Sequence, residues 1–212
     1  MAQPVLGRSV VITRPRSRQR GFTLVELGAV VVIVSILAVI AVVSYKKMIT
    51  ASHSSEATHM INSIRVAQEA YKAETGTYAN ISSNLSITGS SGTSCTNSAS
   101  LYPNTSPGNF KTGWGAACTG CNAPLNWDTI PIHVDGAVMY GYTTIAGFAG
   151  TGPAALTTMI GRNGVYTLNF PATPATDWFV AAACGDPDGN GTRSAYVTSS
   201  FSNDIFESND GE

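Results

Sequence analysis

Arg20-Gly21-Phe22-Thr23-Leu24-Val25-Glu26 leads directly into a run, 27–43, whose only non-apolar residues are Gly28 and Ser35. These 17 residues at 1.5 Å each make about 26 Å of helix, and continuing to Tyr45 approaches the roughly 30 Å hydrocarbon thickness of a bilayer. A carboxylate in such a segment costs roughly 2.5 to 3.5 kcal/mol at mid-bilayer and less near an interface, so Glu26 requires a use. Arg8, Arg14, Arg16, Arg18 and Arg20 precede it with no acidic residue among them, whereas only Lys46 and Lys47 follow the run closely. That asymmetry places the N-terminus in the cytoplasm and everything after Tyr45 outside. A small glycine where the basic leader meets the apolar helix reads as a processing site.

The hydrophobic pattern then changes without a break. Ala57, Met60, Ile61, Ile64, Ala67 and Tyr71 recur at helical spacing, with Glu56, Asn62, Arg65, Glu69 and Lys72 between them. The spacing predicts one helix over 22–74, apolar all round at first and one-faced later. Gly76 stands where a C-cap belongs. From 82 to 120 the chain is rich in Ser, Thr, Asn and Gly and reads as a long loop, with Tyr102 and Trp114 as anchors. Beyond Trp127, the segments 130–134, 138–145, 165–169, 178–183 and 194–200 are β-rich and bounded by Gly, Pro and Asp. The expected fold class is α+β: a long N-terminal helix packed through its amphipathic half on a C-terminal antiparallel sheet.

The sequence Gly21-Phe22-Thr23-Leu24-Val25-Glu26 followed by an apolar helix resembles the class III leader and N-terminus of type IV pilins and pseudopilins. The resemblance implies cleavage by a prepilin peptidase between Gly21 and Phe22, N-methylation of Phe22, and a role for Glu26 in neutralising the N-terminal amine of an adjacent subunit. It further implies a homopolymer of pilin subunits, an assembly platform with its ATPase, residence in the inner membrane as a prepilin with a periplasmic head, and then an extracellular pilus. The corresponding division is 1–21 leader, 22–45 membrane and polymerisation helix, 46–78 amphipathic half of the stem and its exit, 79–127 αβ-loop, and 128–212 antiparallel sheet and C-terminal region. Many pilins carry a proline about twenty residues into the mature helix; here that position is Val43, which removes an expected kink. A minor pilin or pseudopilin of a secretion or DNA-uptake system has the same architecture, although many tip-initiating subunits lack the glutamate. A single-span surface binding protein that does not polymerise is the reading from another class.

With five of the twelve basic residues in the leader, seven basic residues face thirteen acidic ones from Phe22 onward, a net charge of −6. Duplex nucleic acid is therefore not an expected partner of the isolated subunit. Cys95, Cys118, Cys121 and Cys184 would lie in an oxidising compartment, where an even count favours two disulfides among three connectivities. Asp186-Pro-Asp188-Gly-Asn190-Gly-Thr192 opens like a calcium loop, with Asp186, Asp188, Asn190 and Thr192 as candidate ligands. Val197 stands where a bidentate Glu would be required, so a polar turn fastened by its own side chains is the plainer reading. His53, His59 and His133 have no ligand spacing, and no nucleophile elbow, zinc-protease motif or P-loop occurs. The sequence carries no enzyme signature.

Overall fold

The computed structural model describes residues 21–85, 100–115, 127–132, 134–153, 158–161, 164–168 and 170–208. Helix α1 runs over Leu24–Thr75, with no proline to interrupt it. It ends where Gly76 takes φ 85° and its N–H donates to the Lys72 carbonyl at 2.8 Å. That left-handed conformation suits glycine and closes the last turn. The chain divides into two compact units, 1–43 and 44–212.

In the first unit the large apolar side chains of residues 30–43 are each between 50 and 66 % exposed. No side of this segment is covered, as expected for a helix that is apolar all round and must find its surroundings outside its own chain. Its sole hydroxyl after Glu26, Ser35, is satisfied locally, donating to the Val31 carbonyl at 2.7 Å. This leaves no polar side chain in the run seeking a partner.

In the second unit α1 buries Ala57, Met60, Ile61, Ile64, Ala67 and Gln68. They pack against an antiparallel sheet of strand order β3-β6-β7-β8, formed by β3 (Gly141–Gly147), β6 (Trp178–Gly185), β7 (Ser194–Ser199) and β8 (Ser202–Ser208). Strand β6 is buried along its whole length. Phe179, Ala181 and Ala183 join the cluster under the helix, while Trp178, Val180, Ala182 and Cys184 join a second cluster with Leu101, Leu168 and Val197. The two-residue period of a strand thus supplies both faces of the sheet with core. Two smaller antiparallel pairs complete the described strands: β1 (Thr112–Gly113) with β2 (Ala137–Val138), and β4 (Thr158–Gly161) with β5 (Gly164–Thr167).

The α+β architecture expected from the sequence is present, but three local readings change. Of the expected strand 130–134, residues 130–132 are not a strand: Ile132 N–H closes back on the Ile130 carbonyl at 2.8 Å across Pro131, which has no N–H to give a ladder. The segment 138–145 is divided between β2 and β3, because the Met139 N–H is taken by Glu56 Oε1 at 2.5 Å. Strand β8, with Asn203, Asp204 and Glu207, was hidden by its polarity. It is one of the two edges of the sheet, where charged residues discourage pairing with another chain.

The long loop is fastened where it is described. Tyr102 and Tyr142 exchange backbone bonds at 2.7 and 2.9 Å. The Tyr102 ring lies edge-on to Trp114 at 5.0 Å and stacks on Trp127 at 5.8 Å, and its hydroxyl accepts from the Gly115 N–H at 2.8 Å. Both expected anchors therefore bind the loop to β3.

Candidate processing and assembly site

Gly21 and Phe22 precede the first helical residue and both are exposed. The peptide between them lies outside the hydrogen-bonded helix, in non-helical backbone. Helix formation begins at Thr23, whose Oγ1 accepts from the Glu26 N–H at 3.2 Å. In return Glu26 Oε2 accepts from the Thr23 N–H at 2.9 Å and from its hydroxyl at 2.8 Å. This is a reciprocal capping box: each side chain satisfies a backbone N–H that the start of a helix leaves without a partner.

Glu26 thus has a local task besides the assembly role that the resemblance implies. Its sequence signal is Thr-x-x-Glu ahead of an apolar run, and a carboxylate at a helix N-terminus is also favoured by the helix dipole. Both bonds to Thr23 fall on Oε2. Among the described residues no hydrogen bond or ion pair is made by Oε1.

A family model for the prokaryotic N-terminal methylation motif matches residues 16–42. The chain is also 35 % identical over 74 residues to the type IV major pilin protein PilA of Myxococcus xanthus (strain DK1622), a match covering 35 % of this chain and 34 % of that protein. The chain is type IV pilin-like. The match spans about a third of the curated relative's length, and no solved structure matches. In this pilin-like chain the matched motif contains Gly21, Phe22 and Glu26 together with most of the exposed apolar segment.

The other candidates lie elsewhere. Asp186, Asp188, Asn190 and Thr192 form the β6–β7 connection, where the carboxylates are turned inward to the loop. Asp186 accepts from the N–H groups of Gly189 at 2.9 Å and Gly191 at 3.0 Å. Asp188 accepts from the Asn190 side chain at 2.7 Å, and Asn190 Oδ1 from the Thr192 N–H at 2.6 Å. Gly189 and Gly191 take φ 72° and 87°, conformations that glycine adopts freely. Desolvation, together with the neighbouring Asp186 carboxyl, raises the Asp188 pKa, partly opposed by backbone hydrogen bonds. Among the described residues no group of three or more His, Cys, Asp or Glu is placed to hold a metal. The side-chain oxygens of Asp186, Asp188 and Asn190 all accept hydrogen bonds within the turn and fasten it.

Cys184 is buried in β6 and is not a free thiol. Cys95, Cys118, Cys121 and His133 lie outside the described residues. His53 and His59 are on α1, half-buried and exposed respectively.

Three polar side chains of α1, Glu56, Arg65 and Gln68, hold the second unit together. Glu56 receives Lys111 Nζ at 2.8 Å as well as the Met139 N–H. The Arg65 guanidinium donates to the carbonyls of Ser199 at 2.9 Å, Asn203 at 3.0 Å and Ser202, clasping the β7–β8 turn. Gln68, fully buried, binds both backbone groups of Ala79. Only Gln68 left a sequence signal, a polar residue four positions after Ile64 on the apolar face.

Proposed function

We propose that this chain is a structural subunit of a type IV pilus, inserted in the inner membrane as a prepilin, cleaved after Gly21, N-methylated at Phe22 and polymerised through its N-terminal helix. One observation carries the reading: the matched methylation motif runs into an apolar helix that is exposed on every side, and includes most of it. Such a helix is stable only in lipid or against other helices, and processing at its head prepares it to exchange one for the other. Cleavage leaves the Phe22 amine one residue ahead of the capping box. Glu26 Oε2 keeps the helix start closed while Oε1 accepts the Phe22 amine of a neighbouring subunit, an ion pair that gains strength where water is excluded.

The partners of this function are copies of the same chain, the prepilin peptidase, and the assembly platform with its ATPase. The subunit moves from the inner membrane, with its head in the periplasm, to the surface filament. Cys184 pairs with one of Cys95, Cys118 and Cys121, and the remaining two form the second disulfide, which fastens the αβ-loop. The segments 1–21, 22–45, 46–78, 79–127 and 128–212 act as leader, polymerisation helix, lower stem, αβ-loop and sheet region.

Mass spectrometry of the N-terminus, combined with electron microscopy of sheared surface material, tests the proposal. An N-methylated Phe22 within filaments is expected. An uncleaved 22.1 kDa product retained in the membrane overturns it in favour of a single-span binding protein. Glu26→Ala should abolish filaments, whereas normal filaments from that variant would refute the pairing role. Abundance separates a major subunit from a minor pilin or pseudopilin, since the major subunit forms long fibres without requiring other pilins.

A further inference from the structure

Between Glu26 and Glu56 the chain has no acidic residue, and Lys46 and Lys47 are its only basic ones there. Both lysines are exposed on α1, three and four residues after Val43. Among the described residues the ion pair is Lys111 with Glu56, and neither ammonium pairs with a described carboxylate. Tyr45 beside them is 65 % exposed. Successive helix positions are about 100° apart, so Tyr45, Lys46 and Lys47 together cover about 200° of the circumference.

We infer that Tyr45, Lys46 and Lys47 form an anchor for the headgroup phosphates of anionic phospholipids, an inference that rests on the membrane-inserted stage proposed above. Lysine stems lie along apolar surface while their ammonium groups reach the phosphates, and a tyrosine ring has an apolar body and a polar tip suited to the same depth. The rest of the chain after Phe22 is acidic, with five basic residues besides these two against thirteen acidic ones. The lysine pair is therefore the place along the stem where charge attracts an anionic headgroup. It holds the subunit at a fixed depth until assembly withdraws it.

The full chain in an uncharged detergent is mixed with equal amounts of phosphatidylglycerol and phosphatidylcholine, and retained lipid is counted by native mass spectrometry. Leader arginines add a constant background, so the measured quantity is the drop between wild type and variant. A lysine near an anionic surface is worth about five-fold. Lys46→Gln should lower the preference for phosphatidylglycerol about five-fold, and Lys46→Gln with Lys47→Gln about 25-fold. An unchanged preference in the double variant overturns the inference and turns the lysines toward a protein neighbour. Flotation with vesicles is measured alongside. A chain that floats but loses no preference on substitution removes the lysine anchor alone, and a chain that fails to float removes the membrane stage as well.

Discussion

Replacing Gln68 with leucine tests how α1 is joined to the chain that leaves it. The Gln68 side chain is fully buried. Its Nε2 donates to the Ala79 carbonyl at 2.8 Å and to Thr144 Oγ1 at 3.1 Å, and its Oε1 accepts from the Ala79 N–H at 2.9 Å. Ala79 is itself buried at 4 % exposure, so water cannot take over either role. Leucine fills nearly the same volume but leaves both backbone groups of Ala79 without a partner. Each orphaned group costs about 1 to 3 kcal/mol, and burying a leucine returns about 1.5 to 3 kcal/mol. At the middle of these ranges two orphaned groups against one leucine leave a net loss of about 2 kcal/mol. For a folded unit of this size each kcal/mol moves the melting temperature by about 2 to 4 °C, so a fall of about 4 to 8 °C should appear in circular dichroism melts at fixed detergent. Hydrogen exchange at the Ala79 amide gives a second, local readout and should accelerate. A loss below about 0.5 kcal/mol, the range of neutral surface changes, or an Ala79 amide as protected as before, would refute the reasoning.

Arg65→Leu removes three donations to the β7–β8 turn and should cost about 2 to 3 kcal/mol, with exchange quickened first at residues 199–203; uniform destabilisation would deny the clasp. Tyr142→Phe should be neutral or stabilise by about 1 kcal/mol, because the Tyr142 hydroxyl is buried without a hydrogen-bond partner among the described residues; a clear loss in a melt would mean that this hydroxyl is bonded. Burial raises the pKa of Tyr142 well above that of a free phenol, with Glu56 and Tyr140 adding to it, and burial also raises that of Tyr78, whose hydroxyl donates to Glu69. A raised folded pKa means the contribution is complete below the unfolded value near 10 and is lost as pH rises toward the folded values; stability should hold to about pH 10 and then fall, less steeply in Tyr142→Phe, and an equally steep fall in both proteins would exclude Tyr142 as a cause. Added calcium should leave the melting temperature unchanged, and a rise that Asp186→Asn abolishes would reinstate the 186–192 loop as a metal site.

Local sequence was enough to read the long helix, its division into an omnidirectionally apolar part and a one-faced part, and the methylation motif at its head. These are properties of neighbours along the chain: a period of 3.6, a span length, a charge step, a glycine at the helix exit. It also gave the class of sheet, because β6 and β7 are apolar in short runs bounded by turns. The use of polar side chains, by contrast, was set by long-range folding. Glu56 and Arg65 read as solvated positions in the helical pattern and Gln68 falls on the apolar face, but the partners of all three, Met139, Ser199 and Ala79, are chosen by how the chain folds back. The strand boundaries at 130–145 followed from the same cause, since Pro131 cannot donate and Glu56 captures the Met139 N–H. Glu26 belongs to both levels: the residues that cap the helix are adjacent in sequence, whereas any pairing with another subunit's amine depends on a neighbour that no single chain contains.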